Sequence, residues 1–292
     1  MIDQFLNYLR YEKNRSLLTV QRYENSLRDF ETYFKQTSKE LDWTTVDADI
    51  IRGWMENRMD SGMSARTVNA DLAAVRSFFR FALIRNMVER DPAHMVTGPK
   101  TQKVLPQFVK EADMNRLIDE ESWSDTYKDV RARTIIILLY ETGMRRSELA
   151  GLDDKDVDFD AAQLKVTGKR NKQRIIPFGD EVAQQLKHFI EVRDAQVEKQ
   201  CEALFLNKHG LRISVEQIYV DVKKNLSRVT MMKKRSPHVL RHSFATAMLN
   251  HNAGLESVRQ LLGHESLETT QIYTHTTFEQ LRRVYKEAHP RG

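Results

Sequence analysis

No proline occurs in this 292-residue chain before Pro92. A proline inside a helix removes a hydrogen bond and clashes with the preceding turn, so its absence leaves the first third of the chain open to helices. The apolar residues are spaced accordingly. Phe5, Leu6 and Leu9 give a short amphipathic segment. Ser16 or Thr19 suits the cap of a second helix, along which Val20, Tyr23, Leu27, Phe30 and Phe34 recur at spacings of 3, 4, 3 and 4. That spacing is one face of an α-helix. Ile50, Ile51, Trp54 and Met55 mark a third helix, ended by Gly62, and Ser64 caps a fourth with Val68, Leu72, Val75, Phe78, Phe79 and Leu83 on its buried side. Four helices over residues 1–90 make a compact helical domain, and core packing is the plain reading of its aromatic stripe.

The pattern breaks over residues 91–110, which hold three prolines and one glycine in twenty positions. Such a stretch disfavours regular structure and reads as an interdomain linker. From Glu111 the signal becomes mixed. Residues 155–159, 163–167 and 174–178 read as strands of a small sheet, with Gly168, Lys169, Arg170 and Asn171 as a hairpin turn. Helices are expected over 181–197, 214–226, 238–250, 256–262 and 278–288. The fold class expected is mainly α with a small β-sheet, in two domains each large enough to bury a core: a helical one over 1–90 and a mixed α/β one over 111–292.

Composition narrows the function classes. Lys and Arg number 46 against 41 Asp and Glu, a formal net charge of +5, which hints at an anionic partner without identifying one. Cys201 is the sole cysteine, which excludes an internal disulfide framework and a cysteine-built zinc finger. The longest apolar run, from Ile135 to Tyr140, falls far short of the roughly 20 residues a membrane span needs. The N-terminus has no basic flank followed by a greasy stretch, so no secretion signal is visible. A cytoplasmic protein without a membrane partner is expected.

Several basic positions carry two readings each. Arg10, Lys13 and Arg15 cluster early, and Arg66, Arg76, Arg80 and Arg85 recur along the fourth helix; they suit a phosphate backbone and equally a solvated face. In Ser236-Pro237-His238-Val239-Leu240-Arg241-His242, proline at the helix start places His238 and Arg241 one turn apart. Together with the positive helix end they suit a phosphoryl group, although a helix with two polar surface residues has the same text. His238 and His242 have the spacing of a zinc pair but lack the His-Glu-x-x-His motif, so metal is the weak option. Arg145, two residues after Gly143, sits at a tight junction between helices or serves as an ordinary cap. Lys169, with Lys165, Arg170, Lys172 and Arg174 around it, forms a basic ribbon able to enter a DNA groove or simply lies in solvent.

The C-terminal stretch from Leu261-Leu262-Gly263-His264 to Gln271-Ile272-Tyr273-Thr274-His275 resolves these readings. The ordered set Arg145, Lys169, His238-x-x-Arg241, Gly263-His264 and Tyr273 resembles the tyrosine recombinase family, and the flanking text resembles its Xer-type bacterial members. The resemblance runs almost end to end. It implies an N-terminal four-helix, SAM-like core-binding domain and a C-terminal catalytic domain. By position it implies that Arg145 and Arg241 are the two catalytic arginines and Lys169 the hairpin lysine. It further implies that His238 is the first catalytic histidine, His264 fills the His-or-Trp position, Tyr273 is the nucleophile and Glu148 is the supporting acid. No member of the set is missing.

Phosphoryl transfer leaves a protein mostly positioning and charge stabilisation to do. Guanidinium groups suit the nonbridging oxygens, Lys169 suits the general acid for a poor leaving group, His238 the base for a phenol of pKa near 10, and His264 a further donor. No cofactor, ATP or metal is implied, in keeping with the absence of a Gly-x-x-x-x-Gly-Lys loop. The partners implied are double-stranded DNA with a specific recombination site and self or a related recombinase in a cyclic tetramer, with room for an activating protein. The final helix, with Leu281, Val284 and Tyr285, would dock on a neighbouring subunit, though folding onto its own domain is the alternative. Because the helical domain begins so early, no arm-binding module is expected before it, an expectation that favours Xer-type resolution of chromosome dimers over a mobile-element integrase or invertase. A non-catalytic DNA-binding regulator and a topoisomerase are the rival classes.

Overall fold

The computed structural model describes residues 1–101, 107–119, 123–168, 171–263 and 278–289, with the side chains of 278–282 left aside. It divides into two compact units, Met1–Val104 and Leu105–Gly292.

The first unit is all helical: α1 (Ile2–Asn7), a π-helical turn (Tyr8–Glu12), α2 (Leu17–Thr37), α3 (Ala48–Asp60) and α4 (Ala65–Ile84). Short polar side chains start its long helices by accepting otherwise unpaired N–H groups. Ser16 accepts from Thr19, Asp47 from Asp49 and Ile50, and Ser64 from Thr67. The aromatic stripe is indeed core: the Trp43 ring lies 4.4 Å from Phe78 and 5.1 Å from Phe34, centroid to centroid. One buried carboxylate is fully engaged, Asp71 accepting from Ser26 at 2.9 Å and from Arg58 at 2.8 Å.

The arginines of α4 divide. Arg76 donates to the carbonyls of Ala93 and Val96, and Arg85 pairs with Glu12 at 2.8 Å. Two of the four thus have partners within the unit, whereas Arg66 and Arg80 are exposed. The Arg76 bonds also tie down the start of the proline-rich stretch, where Ala93 and Val96 are buried with the helical core. Beyond it, Val109 is buried in the second unit and its N–H donates to Ser243 Oγ at 2.8 Å.

The second unit holds α5 (Glu111–Ile118), α6 (Tyr127–Thr142), α7 (Arg146–Ala150), a three-stranded sheet of β1 (Val157–Asp158), β2 (Gln163–Thr167) and β3 (Gln173–Pro177), then α8 (Asp180–Gln196), α9 (Val215–Leu226), α10 (Pro237–Asn250), α11 (Leu255–Leu262) and α12 (Phe278–Ala288). The apolar run seen in the sequence lies in α6, which is buried on nearly every side and packs against α8, α9 and α10. Its buried polar side chains are paired, Arg131 with Asp221 at 3.1 Å and the Thr134 hydroxyl donating to the Val130 carbonyl at 2.7 Å. Among the described residues no helix is long and apolar enough to cross a membrane. The sheet is antiparallel in the order β1-β2-β3, with Leu164 opposite Ile176 and Val166 opposite Arg174. Its first strand is shorter than the pattern suggested, because residues 154–156 form a 3-10 turn that Asp156 closes by accepting the Asp153 N–H at 2.9 Å.

α12 lies on its own unit in this isolated chain. Tyr285 and Ala288 are buried with Phe244, Met248, Leu261 and Leu262. The Tyr285 hydroxyl donates to Glu141 Oε2 at 3.3 Å, and His289 Nδ1 approaches the same oxygen to 2.9 Å. In the single chain the apolar side of the helix packs in cis, the alternative that the sequence left beside docking on a neighbour. Truncating a buried aromatic of this size costs about 3–5 kcal/mol, so Tyr285→Ala is expected to lower the thermal unfolding midpoint. An unchanged midpoint would contradict this packing.

Candidate active site

Two glycines end two helices beside one another. Gly143 ends α6 at φ +60°, and a Cβ there would lie 2.4 Å from Phe244 Cδ1 and 2.7 Å from Leu262 Cδ2. Gly263 ends α11 at φ +63°, where a Cβ would crowd the Arg174 side chain at 3.2 Å. Left-handed backbone and lack of space both require glycine.

The last carbonyls of α11 have no partner within the helix and carry its partial negative charge. Three guanidinium groups meet them. Arg174 Nε donates to Leu261 O at 3.2 Å, Arg241 Nη2 to Leu262 O at 2.7 Å, and Arg145 Nη2 to Gly263 O at 3.1 Å. Arg241 also donates through Nη1 to Gly143 O at 2.6 Å, so it clasps the ends of both helices. Beneath them lies Glu148, its side chain 1 % exposed. Its carboxylate accepts from the Arg145 backbone N–H at 2.7 Å and from Arg145 Nη1 at 2.9 Å. It also accepts both terminal nitrogens of Arg174, at 2.7 and 2.9 Å.

The electrostatics follow from this crowding. Burial alone would raise the Glu148 pKa, but Arg174 and then Arg145 hold it below the usual carboxylate range. Burial first, then the neighbouring cations Arg145 and Arg174, push the Arg241 pKa down to about 10, against the pull of Glu148; it stays cationic near neutrality. His238, in the first turn of α10, has its pKa lowered by partial burial first and then by Arg146, Arg241, His242 and Arg145. Its imidazole is therefore neutral at pH 7.

Of the seven residues singled out by the sequence, the structure gathers Arg145, Glu148, His238 and Arg241 into one cluster. Lys169, His264 and Tyr273 lie outside the described residues. The described neighbours of two of them reach the cluster: Gly263 through its carbonyl on Arg145, and Gly168, where a Cβ would lie 3.2 Å from Glu148 Oε1. Arg174, read from the sequence as part of a basic ribbon able to enter a DNA groove, instead points inward onto Glu148. The signal for that was present. In a strand, residues two apart share a face, and Arg174 shares its face with the fully buried Ile176, whereas Lys165 is exposed on the paired strand. His242 is exposed, and among the described residues no group of three or more His, Cys, Asp or Glu could hold a metal ion.

The arrangement is a fixed, cationic site framed by helix ends, suited to a phosphoryl group, and its setting is a tyrosine recombinase fold. Residues 107–280 match the phage integrase family, and residues 2–86 match the phage integrase N-terminal SAM-like domain. The whole chain aligns at 36% identity with 94% of tyrosine recombinase XerC of Chlorobaculum tepidum. It aligns at 35% identity with 99% of tyrosine recombinase XerD of Staphylococcus epidermidis, again over its full length. In fold it is similar to the XerH site-specific recombinase, solved in a post-cleavage complex with a palindromic difH substrate, at a TM-score of 0.71 and 23% identity over 97% of this chain and 83% of that one. The chain belongs to the phage integrase family, the tyrosine recombinases.

The glycine requirement is directly testable. Gly143→Ala is expected to lose at least the about 1–3 kcal/mol of a side chain in left-handed backbone, read by denaturant unfolding.

Proposed function

We propose that this chain is a site-specific DNA recombinase of the Xer type, which cleaves and rejoins double-stranded DNA through a covalent 3′-phosphotyrosine intermediate. The observation that carries the reading is the convergence of Arg145 and Arg241 on adjacent carbonyls at the end of α11, directly before the segment that carries His264 and Tyr273.

In this reading Tyr273 Oη attacks the scissile phosphorus, and the bond from phosphorus to the 5′-oxygen breaks. Negative charge grows on the nonbridging oxygens as the pentacoordinate transition state forms, and Arg145 and Arg241, preorganised by backbone carbonyls, meet it without rearrangement. His238 takes the phenolic proton, a role its neutral imidazole supports. Lys169 returns a proton to the departing 5′-oxygen, and His264 donates to a nonbridging oxygen. The products are a phosphotyrosine ester and a free 5′-hydroxyl, and attack by another 5′-hydroxyl reverses the step. The full-length similarity to XerC and XerD supports resolution of chromosome dimers, in a cyclic tetramer with itself or a related recombinase, as the biological role. The domain plan that goes with this reading is a core-binding domain of residues 1–90 and a catalytic domain of 111–292, joined through 91–110.

The test uses a nicked duplex carrying the site that the chain itself selects from a randomised pool. Tyr273→Phe is expected to abolish the covalent protein–DNA adduct while binding persists, and Arg145→Ala or Arg241→Ala to slow adduct formation about 10²–10³-fold, as for other preorganised donors. A chain that binds the selected duplex but never forms an adduct is a DNA-binding regulator instead.

The pH profile gives a separate check. A histidine whose pKa is depressed below its ordinary value of 6.5 loses its basic form only on acidification, so the acid limb of cleavage is expected below that value. His238→Gln should be slow and lack that limb. An acid limb that persists unchanged in His238→Gln would exclude His238 as the base.

A further inference from the structure

We propose that Arg174 is a positioning residue of the cleavage site: its guanidinium locks the Glu148 carboxylate and the end of α11, and through them aims Arg145, without itself contacting DNA. This inference rests on the recombinase reading above and deepens it.

Each of the three guanidinium nitrogens of Arg174 has a partner. Two form a fork on Glu148, and Nε holds the Leu261 carbonyl. The side chain is 18 % exposed, against 37 % for Arg145, so Arg145 is the more open of the two cations that share the carboxylate. The stem of Arg174 also fills the space beside Gly263 that any Cβ would need. Arg174 therefore braces both supports of Arg145, its carboxylate partner and its carbonyl partner.

Without Arg174, Arg145 is the ion-pair partner that Glu148 keeps among the described residues. The carboxylate can then rotate onto both terminal nitrogens of Arg145 and draw the guanidinium off the Gly263 carbonyl. Lysine cannot replace this arrangement, because a point charge supplies neither the planar fork nor the third, divergent bond.

The experiment compares Arg174→Gln and Arg174→Lys with the parent chain, alone and in a Glu148→Gln background, on the nicked duplex selected by the parent. Adduct formation under saturating protein and equilibrium binding are both measured, with thermal melts to identify folded variants. Arg174→Gln is expected to slow adduct formation about 10- to 100-fold, the range for removing a group that orients a reacting one. Binding should stay within about threefold of the parent, since phosphate contacts carry affinity. Arg174→Lys should fall between the two, and it supplies the answer if the glutamine variant does not fold. In the Glu148→Gln background the Arg174 substitution should cost less than about threefold, the non-additivity of groups that act as one unit. Cleavage near the parental rate, affinity falling in step with rate, or an undiminished effect beside Glu148→Gln would each overturn the inference. A parent chain that forms no adduct overturns the functional reading, and the inference with it.

Discussion

The site depends on the unsatisfied carbonyl end of one short helix. α11 is only eight residues long, yet its last carbonyls take a hydrogen bond from each of three guanidinium groups brought from β3, from α10 and from the junction between α6 and α7. Three like charges so close repel one another, and the depressed pKa of Arg241 registers its burial first and that repulsion second. A helix C-terminus offsets part of the repulsion. The buried carboxylate of Glu148 offsets more, because in a low-dielectric setting one opposite charge acts strongly on its neighbours. The outcome is a cluster of cations held in place before any anion arrives, which is what electrostatic stabilisation of a phosphoryl transition state requires.

The scaffold receives these groups at helix ends. α6 is buried on almost every side, so its one chemically useful point is its terminus. Gly143 turns the chain there so that its carbonyl faces Arg241 and Arg145 can start the next helix. The space that a Cβ on Gly143 would need is taken by Phe244 and Leu262. Both side chains also belong to the buried cluster that holds Tyr285 of α12. The seating of the last helix and the geometry of the arginine site thus share the same side chains, and a change in one is felt by the other because packed interiors have little free volume.

Much of the fold was legible because it rests on local rules. The spacing of Val20, Leu27, Phe30 and Phe34, and the caps at Ser16 and Ser64, predict α2 and α4 from residues within a few turns of one another. Arg145 and Glu148 stand three residues apart at a helix start, a separation that lets the acid reach back to the arginine N–H. Less was legible wherever a side chain could choose between solvent and a distant carbonyl. Arg76 and Arg85 look like a phosphate-tracking row, yet one anchors the chain after Pro92 and the other meets Glu12. Arg174 looks like part of a ribbon because its neighbours are basic, whereas strand alternation put it inward.

The sequence by itself determined the helical first unit, the small sheet, the family and the ordered set from Arg145 to Tyr273, because each is written in residue types at fixed short spacings. Only the tertiary structure decided that Arg145, Arg174 and Arg241 share one helix end and one carboxylate, and that α12 rests on its own unit. Those outcomes depend on contacts between residues 118 and 144 positions apart, and no local pattern encodes which distant backbone carbonyl a long, flexible cation will find.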